Sequence, residues 1–315
     1  MPVSKNRRKN RKKAPSGGKK KAAPAAAAPL PPLPDRRAIE GMMANLLGGR
    51  FSGDLFDEGE DDGDEALHQA QEIMYDAWDS ASKRERVAAA KRALKISDLC
   101  ADAHVLLAEE AAGSIIEARR HYERGVAAGE AALGPEAFEH DVGHFWGILE
   151  SRPYMRARAG LAECLWRLGE RADAVAHLWD MLRLNPNDNQ GLRYSLTAKL
   201  FVLDDLDGAQ GILADYEEQD FAEWSYSKAL LTFKKQGPSA VAGKTLKAAI
   251  KNNPHVPALL LGARRLPKSP PPHYAVGSKD EAVLYVIANR ENWSATRGAL
   301  PWLAETSPKR PPPAK

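Results

Sequence analysis

The chain has 315 residues, 43% of them apolar, which is enough to bury one or two hydrophobic cores. The longest apolar run, VPALLLGA at 256–263, falls short of the roughly 18 residues a membrane-spanning helix needs, and two cysteines, Cys100 and Cys164, supply neither a disulfide framework nor a zinc-binding pattern. The formal net charge of +3 conceals a segregation: residues 1–21 hold ten Lys or Arg and no acid, residues 54–65 hold eight acids and no base, and from residue 66 onward the chain carries 32 of each.

Residues 1–35 combine Lys and Arg with Ala and Pro, a composition that cannot bury enough apolar surface to offset the entropy of ordering, so a disordered basic tail is expected. Its start resembles a secretory signal only superficially, because prolines at 24, 29, 31, 32 and 34 interrupt the helical segment such a signal requires. Arg7, Arg8, Lys9, Arg11, Lys12 and Lys13 could attract phosphates, which makes weak, non-specific RNA or ribosome binding an alternative function. No aromatic is interleaved with these charges, so base stacking is not on offer.

Residues 36–65 read as a short amphipathic helix followed by an acidic linker. Ile39, Met42, Met43, Leu46, Leu47 and Phe51 share helical spacing and form a face able to dock as an internal peptide in a groove. From residue 66 to 265 the pattern is helix after helix without strand alternation. Two windows repeat residue for residue: Arg158, Leu161, Ala162, Leu165, Ala174, Leu178 and Pro186, then Tyr226, Ala229, Leu230, Phe233, Ala242, Leu246 and Pro254, each 68 residues after its counterpart. That spacing is two periods of a 34-residue repeat. Between them Leu192, Ser195 and Leu196 fit and Lys199 does not, while Ala209 and Leu213 fit after a one-residue shift. Upstream, Ala93 and Leu94 belong to a second helix, His104, Leu107 and Ala108 to the next first helix, and Ala118 and Tyr122 to a partner that arrives two residues early.

In these windows the chain resembles a tetratricopeptide-repeat (TPR) protein. The segment from Gly143 to Tyr194, together with GSKDEAVLYV and WSATRGALPWL near the end, also resembles a bacterial subgroup of repeat proteins related to the suppression-of-tumorigenicity family. The resemblance implies an all-α, right-handed solenoid of about five helix pairs and no enzymatic activity, hence a scaffold that binds a protein or peptide in its concave groove. It further implies which side chains face that groove: Arg156, Ala159 and Glu163, then Gln190, Arg193 and Thr197, then Trp224, Ser227 and Leu231. Arg156 and Arg193, with Arg152, Arg158 and Tyr194 nearby, could hold a carboxylate through paired N–H donors. Equally, they could pair with Glu163, Glu150 or other acids of the chain. The family's carboxylate clamp of Lys and Asn is not reproduced.

Three smaller features complete the reading. Asn185-Pro186 stops a helix, and Asp188 or Asn187 is placed to cap the next, so the polar run NPNDNQ is a corner, with Asn189 and Gln190 left as candidates for the groove. His140 and His144 would share one face if helical, but Gly143 lies between them and no third ligand has suitable spacing, so no metal and no cofactor are expected. A Pro-rich linker at 266–275 leads to a helical cap at 276–305, opened by a Ser278/Glu281 capping box and docked through Trp293, Leu300, Trp302 and Leu303, before a disordered end at 306–315. Two cysteines within apolar helical patterns fit a reducing compartment, and Ala/Arg-rich usage together with the subgroup resemblance implies a bacterial cytoplasm.

Overall fold

The computed structural model describes residues 62–216 and 221–308. The basic tail with Arg7, Arg8, Lys9, Arg11, Lys12 and Lys13, and the amphipathic stretch 39–51, lie outside the described residues. Within them there are thirteen α-helices and no strands.

Ten of the helices form five consecutive pairs: α1 (Asp62–Asp79) with α2 (Lys83–Ile96), α3 (Ala101–Glu110) with α4 (Ile115–His140), α5 (Arg152–Leu168) with α6 (Arg171–Leu184), α7 (Leu192–Leu203) with α8 (Leu206–Asp215), and α9 (Ala222–Gln236) with α10 (Ala240–Asn252). Each helix packs against its partner, and the first helices also meet across pairs, α1 with α3, α3 with α5 and α7 with α9. This is the α-solenoid that the 34-residue spacing predicts. The end of the acidic stretch, read as linker to residue 65, already belongs to α1 from Asp62. Acids in a first helical turn are favoured there by the positive end of the helix dipole.

The repeated residues build the interfaces. Leu161, Ala162, Leu165, Ala174 and Leu178 in one window, and Tyr226, Ala229, Leu230, Phe233, Ala242 and Leu246 in the other, are all buried. Small residues set the approach of two helices and large ones fill the gap to the next pair, each buried Leu or Phe contributing about 1.5–3 kcal/mol. Serines and aspartates end the loops: Ser82, Ser114, Ser239 and Asp205 each accept a backbone N–H from the first turn of α2, α4, α10 and α8. Cys100 and Cys164 are buried free thiols, and burial pushes the Cys100 thiol up to about 12.

Two departures have local causes. In α4 the residues Ala118 and Tyr122 are buried despite their early arrival, because Tyr122 lies over Gly160 of α5, where a Cβ would overlap its ring. The same helix bends at Gly134-Pro135, Gly134 taking a positive φ of 70°. His140 ends it, and Gly143 (φ 97°) turns the chain before His144, so the two exposed histidines do not share a helical face.

After α10 come a short α11 (Val256–Leu260), the Pro-rich segment, α12 (Lys279–Ala295) and α13 (Ala299–Thr306). Trp293, Trp302 and Leu303 are buried and Leu300 packs on the same core, Trp302 stacking on Phe233 at 4.5 Å between ring centroids. This is the expected cap, with one addition. Helix α12 does not stop at the end of the stack but packs on α7 and α9, the first helices of two pairs.

Candidate functional site

The first helices are tied together by polar contacts. Asp102 of α3, fully buried, accepts from Gln71 Nε2 of α1 (2.8 Å) and from Arg156 Nε and Nη2 of α5 (2.7 and 2.5 Å). The Arg156 guanidinium also lies 5.7 Å from the ring centre of Trp78. About two turns further along α5, Glu163 accepts from Arg167 (2.8 Å) and from Lys199 of α7 (3.1 Å). Lys199, the misfit in the repeat signature, is buried by this pairing and donates to Ser195 Oγ at 2.8 Å.

The NPNDNQ corner is built around Asp188. Asn185 caps the end of α6, Asp188 takes φ 47°, and its carboxylate accepts the N–H groups of Leu192 and Arg193 at 2.7 and 2.9 Å. Gly191, not Asp188, occupies the cap position itself, so Asp188 reaches the first turn of α7 from three residues earlier. Its second oxygen also receives Arg193 Nη1 at 2.9 Å. Burial raises the Asp188 pKa, opposed by Arg193 and the two backbone donors. Around it Arg193 faces the rings of Tyr194, Tyr216 and Trp224 at 4.6, 4.9 and 5.9 Å.

The two arginines expected to form an open basic patch are therefore 5% and 2% exposed, and each holds a carboxylate of the chain itself. The acids are Asp102 and Asp188 rather than Glu163 or Glu150. Thr197 is fully buried and donates to Arg193 O (2.8 Å), and Trp224 and Ser227 are fully buried on α9, against which α12 packs.

Helix α12 is held there by side chains that periodicity does not reveal. Asn289 Nδ2 donates to both oxygens of Glu223 of α9 (2.8 and 2.9 Å), and Asn292 Nδ2 to Ala198 O of α7 (3.0 Å). Ser278 caps α12 as its capping-box serine, accepting the Glu281 N–H at 3.1 Å. Glu281 does not return to Ser278: its carboxylate takes Ala222 N–H (2.8 Å), Asn253 Nδ2 (2.9 Å) and Gly277 N–H (2.6 Å), which pins the start of α12 to α9. Glu223, partly buried on the cavity wall with Glu281 as a neighbouring acid, has its carboxyl pushed up to about 8, chiefly by desolvation.

With α12 as one wall and the first helices α5 and α7 as the others, a cavity of about 590 Å³ remains. Of the residues expected in the groove, it brings together Glu163, Gln190 and Tyr194, with Ala159; Arg156, Arg193, Thr197, Trp224 and Ser227 do not line it. Lys199, Glu223, Tyr274 and Tyr285 line it unforeseen. Its rim includes Ile287 and Ala288, both exposed, so it opens to solvent. Ala162, Leu178, Ala198 and Leu284 make much of the wall apolar. No group of three or more His, Cys, Asp or Glu able to hold a metal exists among the described residues.

The family model described as ST7 protein matches residues 56–308, most of the chain. The chain belongs to the ST7 family. Among curated relatives, this ST7-family chain is 29% identical over 260 residues to the chicken suppressor of tumorigenicity 7 protein-like, covering 75% of the chain and 46% of the relative. It is 28% identical over 256 residues to the human suppressor of tumorigenicity 7 protein-like, covering 74% and 44%. The chain thus spans about half the length of the curated relatives it matches. Among solved structures, YrrB, described as a TPR protein with an unusual peptide-binding site, aligns with a TM-score of 0.42 at 19% identity, covering 61% of this chain and 92% of YrrB. No helix of the ST7-family chain, among the described residues, is long and apolar enough to cross a membrane.

Proposed function

We propose that this ST7-family chain is a non-enzymatic, cytoplasmic scaffold, of bacterial origin by its composition, that binds a protein partner through a peptide segment laid on the concave face. The observation that supports this reading most is the solvent-open cavity walled by α5, α7 and α12, where Glu163, Gln190 and Tyr194 gather beside apolar side chains. Pockets of roughly 300–1,000 Å³ that are mainly apolar with a few fixed polar groups are the usual form of a binding site. The polar groups here are engaged in pairing rather than poised as a nucleophile with its base, which favours binding over chemistry.

Two substitutions of exposed aliphatic residues on helices test it. Ile287→Asp puts a charge on the cavity rim, and Val241→Asp puts the same change on exposed α10, away from the cavity lining. Full-length wild type and both variants are used as affinity baits in nuclease-treated cell extract. The reading expects a protein recovered by wild type and Val241→Asp and lost with Ile287→Asp. Equal recovery by all three, or recovery that disappears on nuclease treatment, contradicts it, the latter in favour of tail-mediated RNA binding.

A further inference from the structure

Charge is distributed along this chain in single-signed blocks. Residues 54–79 hold eleven Asp or Glu and no Lys or Arg, and residues 224–279 hold ten Lys or Arg and no Asp or Glu. Folding places the described part of the first block on α1, and the second from α9 to the start of α12. Soluble surfaces ordinarily intersperse the two signs, so blocks of this size at the two ends of one solenoid call for a physical reason.

On α1, Glu65, Glu72, Asp76 and Asp79 are exposed and, at 3.6 residues per turn, fall within an arc of about 60° along about 21 Å of helix. On α10, Lys244, Lys247 and Lys251 are exposed and share an arc of about 60° as well. Helix α1 contains no Lys or Arg, and α10 no Asp or Glu. Glu72 with Asp76, and Lys247 with Lys251, are like-charge pairs four residues apart, an arrangement that destabilises a helix standing alone. The lysines late in α9 already answer to acids of the chain, Lys234 with Asp204 at 2.9 Å and Lys235 with Asp207 at 2.8 Å. Further cations crowd the end of α10: His255, just beyond it, is held below the usual imidazole range by burial and then by Arg264 and Lys279. Three helix pairs lie between α1 and α10, so a single chain does not bring the two stripes together.

We infer that the stripes are the two halves of a head-to-tail contact, the acidic face of α1 in one copy lying along the basic face of α10 in the next. A second copy is the occupant that matches both surfaces at once, since each stripe supplies the other's counterions and joining them relieves the like-charge pairs on both helices. Because different surfaces meet, the contact is heterologous and can extend beyond two copies. Helix α2 also exposes cations, Lys91, Arg92 and Lys95, and is the rival basic face. It already packs on the acidic α1 of its own copy, whereas α10 packs on α9 and α13, whose only acids are Glu223 and Glu305. None of the seven stripe residues lines the cavity, so the inference stands apart from the partner reading.

The test is sedimentation velocity on the full chain across a range of protein concentrations, at about 0.1 M and about 1 M NaCl, where the screening length is about 10 Å and about 3 Å. The expected result is association that grows with concentration and weakens at least about tenfold in the higher salt. Lys244→Glu/Lys247→Glu/Lys251→Glu and Glu72→Lys/Asp76→Lys/Asp79→Lys should each be monomeric alone, and their equimolar mixture should associate again, because each carries the stripe the other has lost. Carbodiimide coupling of wild type mixed with isotope-labelled wild type should join carboxyls of 65–79 to amines of 244–251 between copies, a readout that holds even where a variant misfolds. Wild type that stays monomeric in the lower salt, association that survives either triple substitution, or a mixture that stays apart overturns the proposal. Association lost with Lys91→Glu/Arg92→Glu/Lys95→Glu and kept with the α10 variant, or α1 carboxyls coupled to the N-terminal lysines instead, overturns it too.

Discussion

Replacing Asp102 by alanine removes the buried acceptor that joins three successive first helices. The carboxylate is 0% exposed and Arg156 5%, and three donors converge on it: Gln71 Nε2 at 2.8 Å, Arg156 Nε at 2.7 Å and Arg156 Nη2 at 2.5 Å. In Asp102→Ala the guanidinium loses both of these acceptors inside the fold. Each buried donor left without one costs about 1–3 kcal/mol, which gives about 2–6 kcal/mol. Breaking one side of a buried ion pair typically costs about 3–5 kcal/mol. Trp78, 5.7 Å from the guanidinium, offsets only a small part. The expected loss is about 4 kcal/mol, or a fall in Tm on the order of 10 °C for a domain of this size. Asp102→Leu combined with Arg156→Met should recover most of it, because burying neither charge removes the desolvation penalty of both. Urea unfolding followed by tryptophan fluorescence measures all three proteins, and adding Asp102→Leu and Arg156→Met as single variants closes a double-mutant cycle. A single variant within about 1 kcal/mol of wild type would mean the pair behaves like an exposed one, and the structural role given to Arg156 would be refuted. The same variants address function: an arginine that holds Asp102 should affect partner binding only through stability.

Three further predictions concern packing and protonation. Glu223 has a folded pKa raised from 4.5 to about 8, so the docked state of α12 prefers the protonated carboxyl; its contribution is fully present below about pH 4.5 and lost as pH rises through 8. Glu223→Gln should flatten that decline, making the variant more stable than wild type at pH 9 and little different at pH 5, as read by urea midpoints across pH; parallel curves would contradict the assignment. Gly160→Ala forces a methyl into the buried Tyr122 ring and should cost about 1–3 kcal/mol, with Tyr122→Leu in the same chain restoring most of the loss in a thermal melt. Trp302→Ala removes the ring stacked on Phe233 and should cost about 3–5 kcal/mol while exposing the end of the stack, detectable as increased proteolysis of α13; unchanged stability would show that the cap is dispensable.

The solenoid was legible because it rests on local arithmetic. An Ala and a Leu four apart in α6, α8 and α10, small and large residues side by side in α5 and α9, and serine or aspartate at the caps of α2, α4, α8, α10 and α12 recur where two helices must cross at one distance. The corner at NPNDNQ was legible for the same reason, although the carboxylate reaches α7 from Asp188, three residues before the cap position held by Gly191. The counterions were not. Asp102 and Arg156 are 54 residues apart, and the only trace in the sequence is a lone acid within the otherwise apolar run CADAHVLLA. The same holds for Lys199, which spoils the repeat signature because it answers Glu163 on the neighbouring first helix. Nor does any period show that the cap turns back onto the first helices α7 and α9. Its signal is the set of amides and acids, Glu281, Asn289 and Asn292, buried beside Ala282, Val283, Tyr285, Val286 and Trp293, each bonded to α7, α9 or the loop after α10. Those contacts create the cavity, so the site depended on information that single-helix patterns do not carry.

The central claim is that a protein partner lies on the concave face, and position-dependent photocrosslinking in living cells tests it most directly. A photoreactive amino acid at Ser195 stands on the cavity wall; one at Val241 stands on exposed α10. The account predicts a discrete protein adduct from Ser195, identified by mass spectrometry and absent from Val241. Adducts that are the same from both positions, or that consist of RNA, would contradict it.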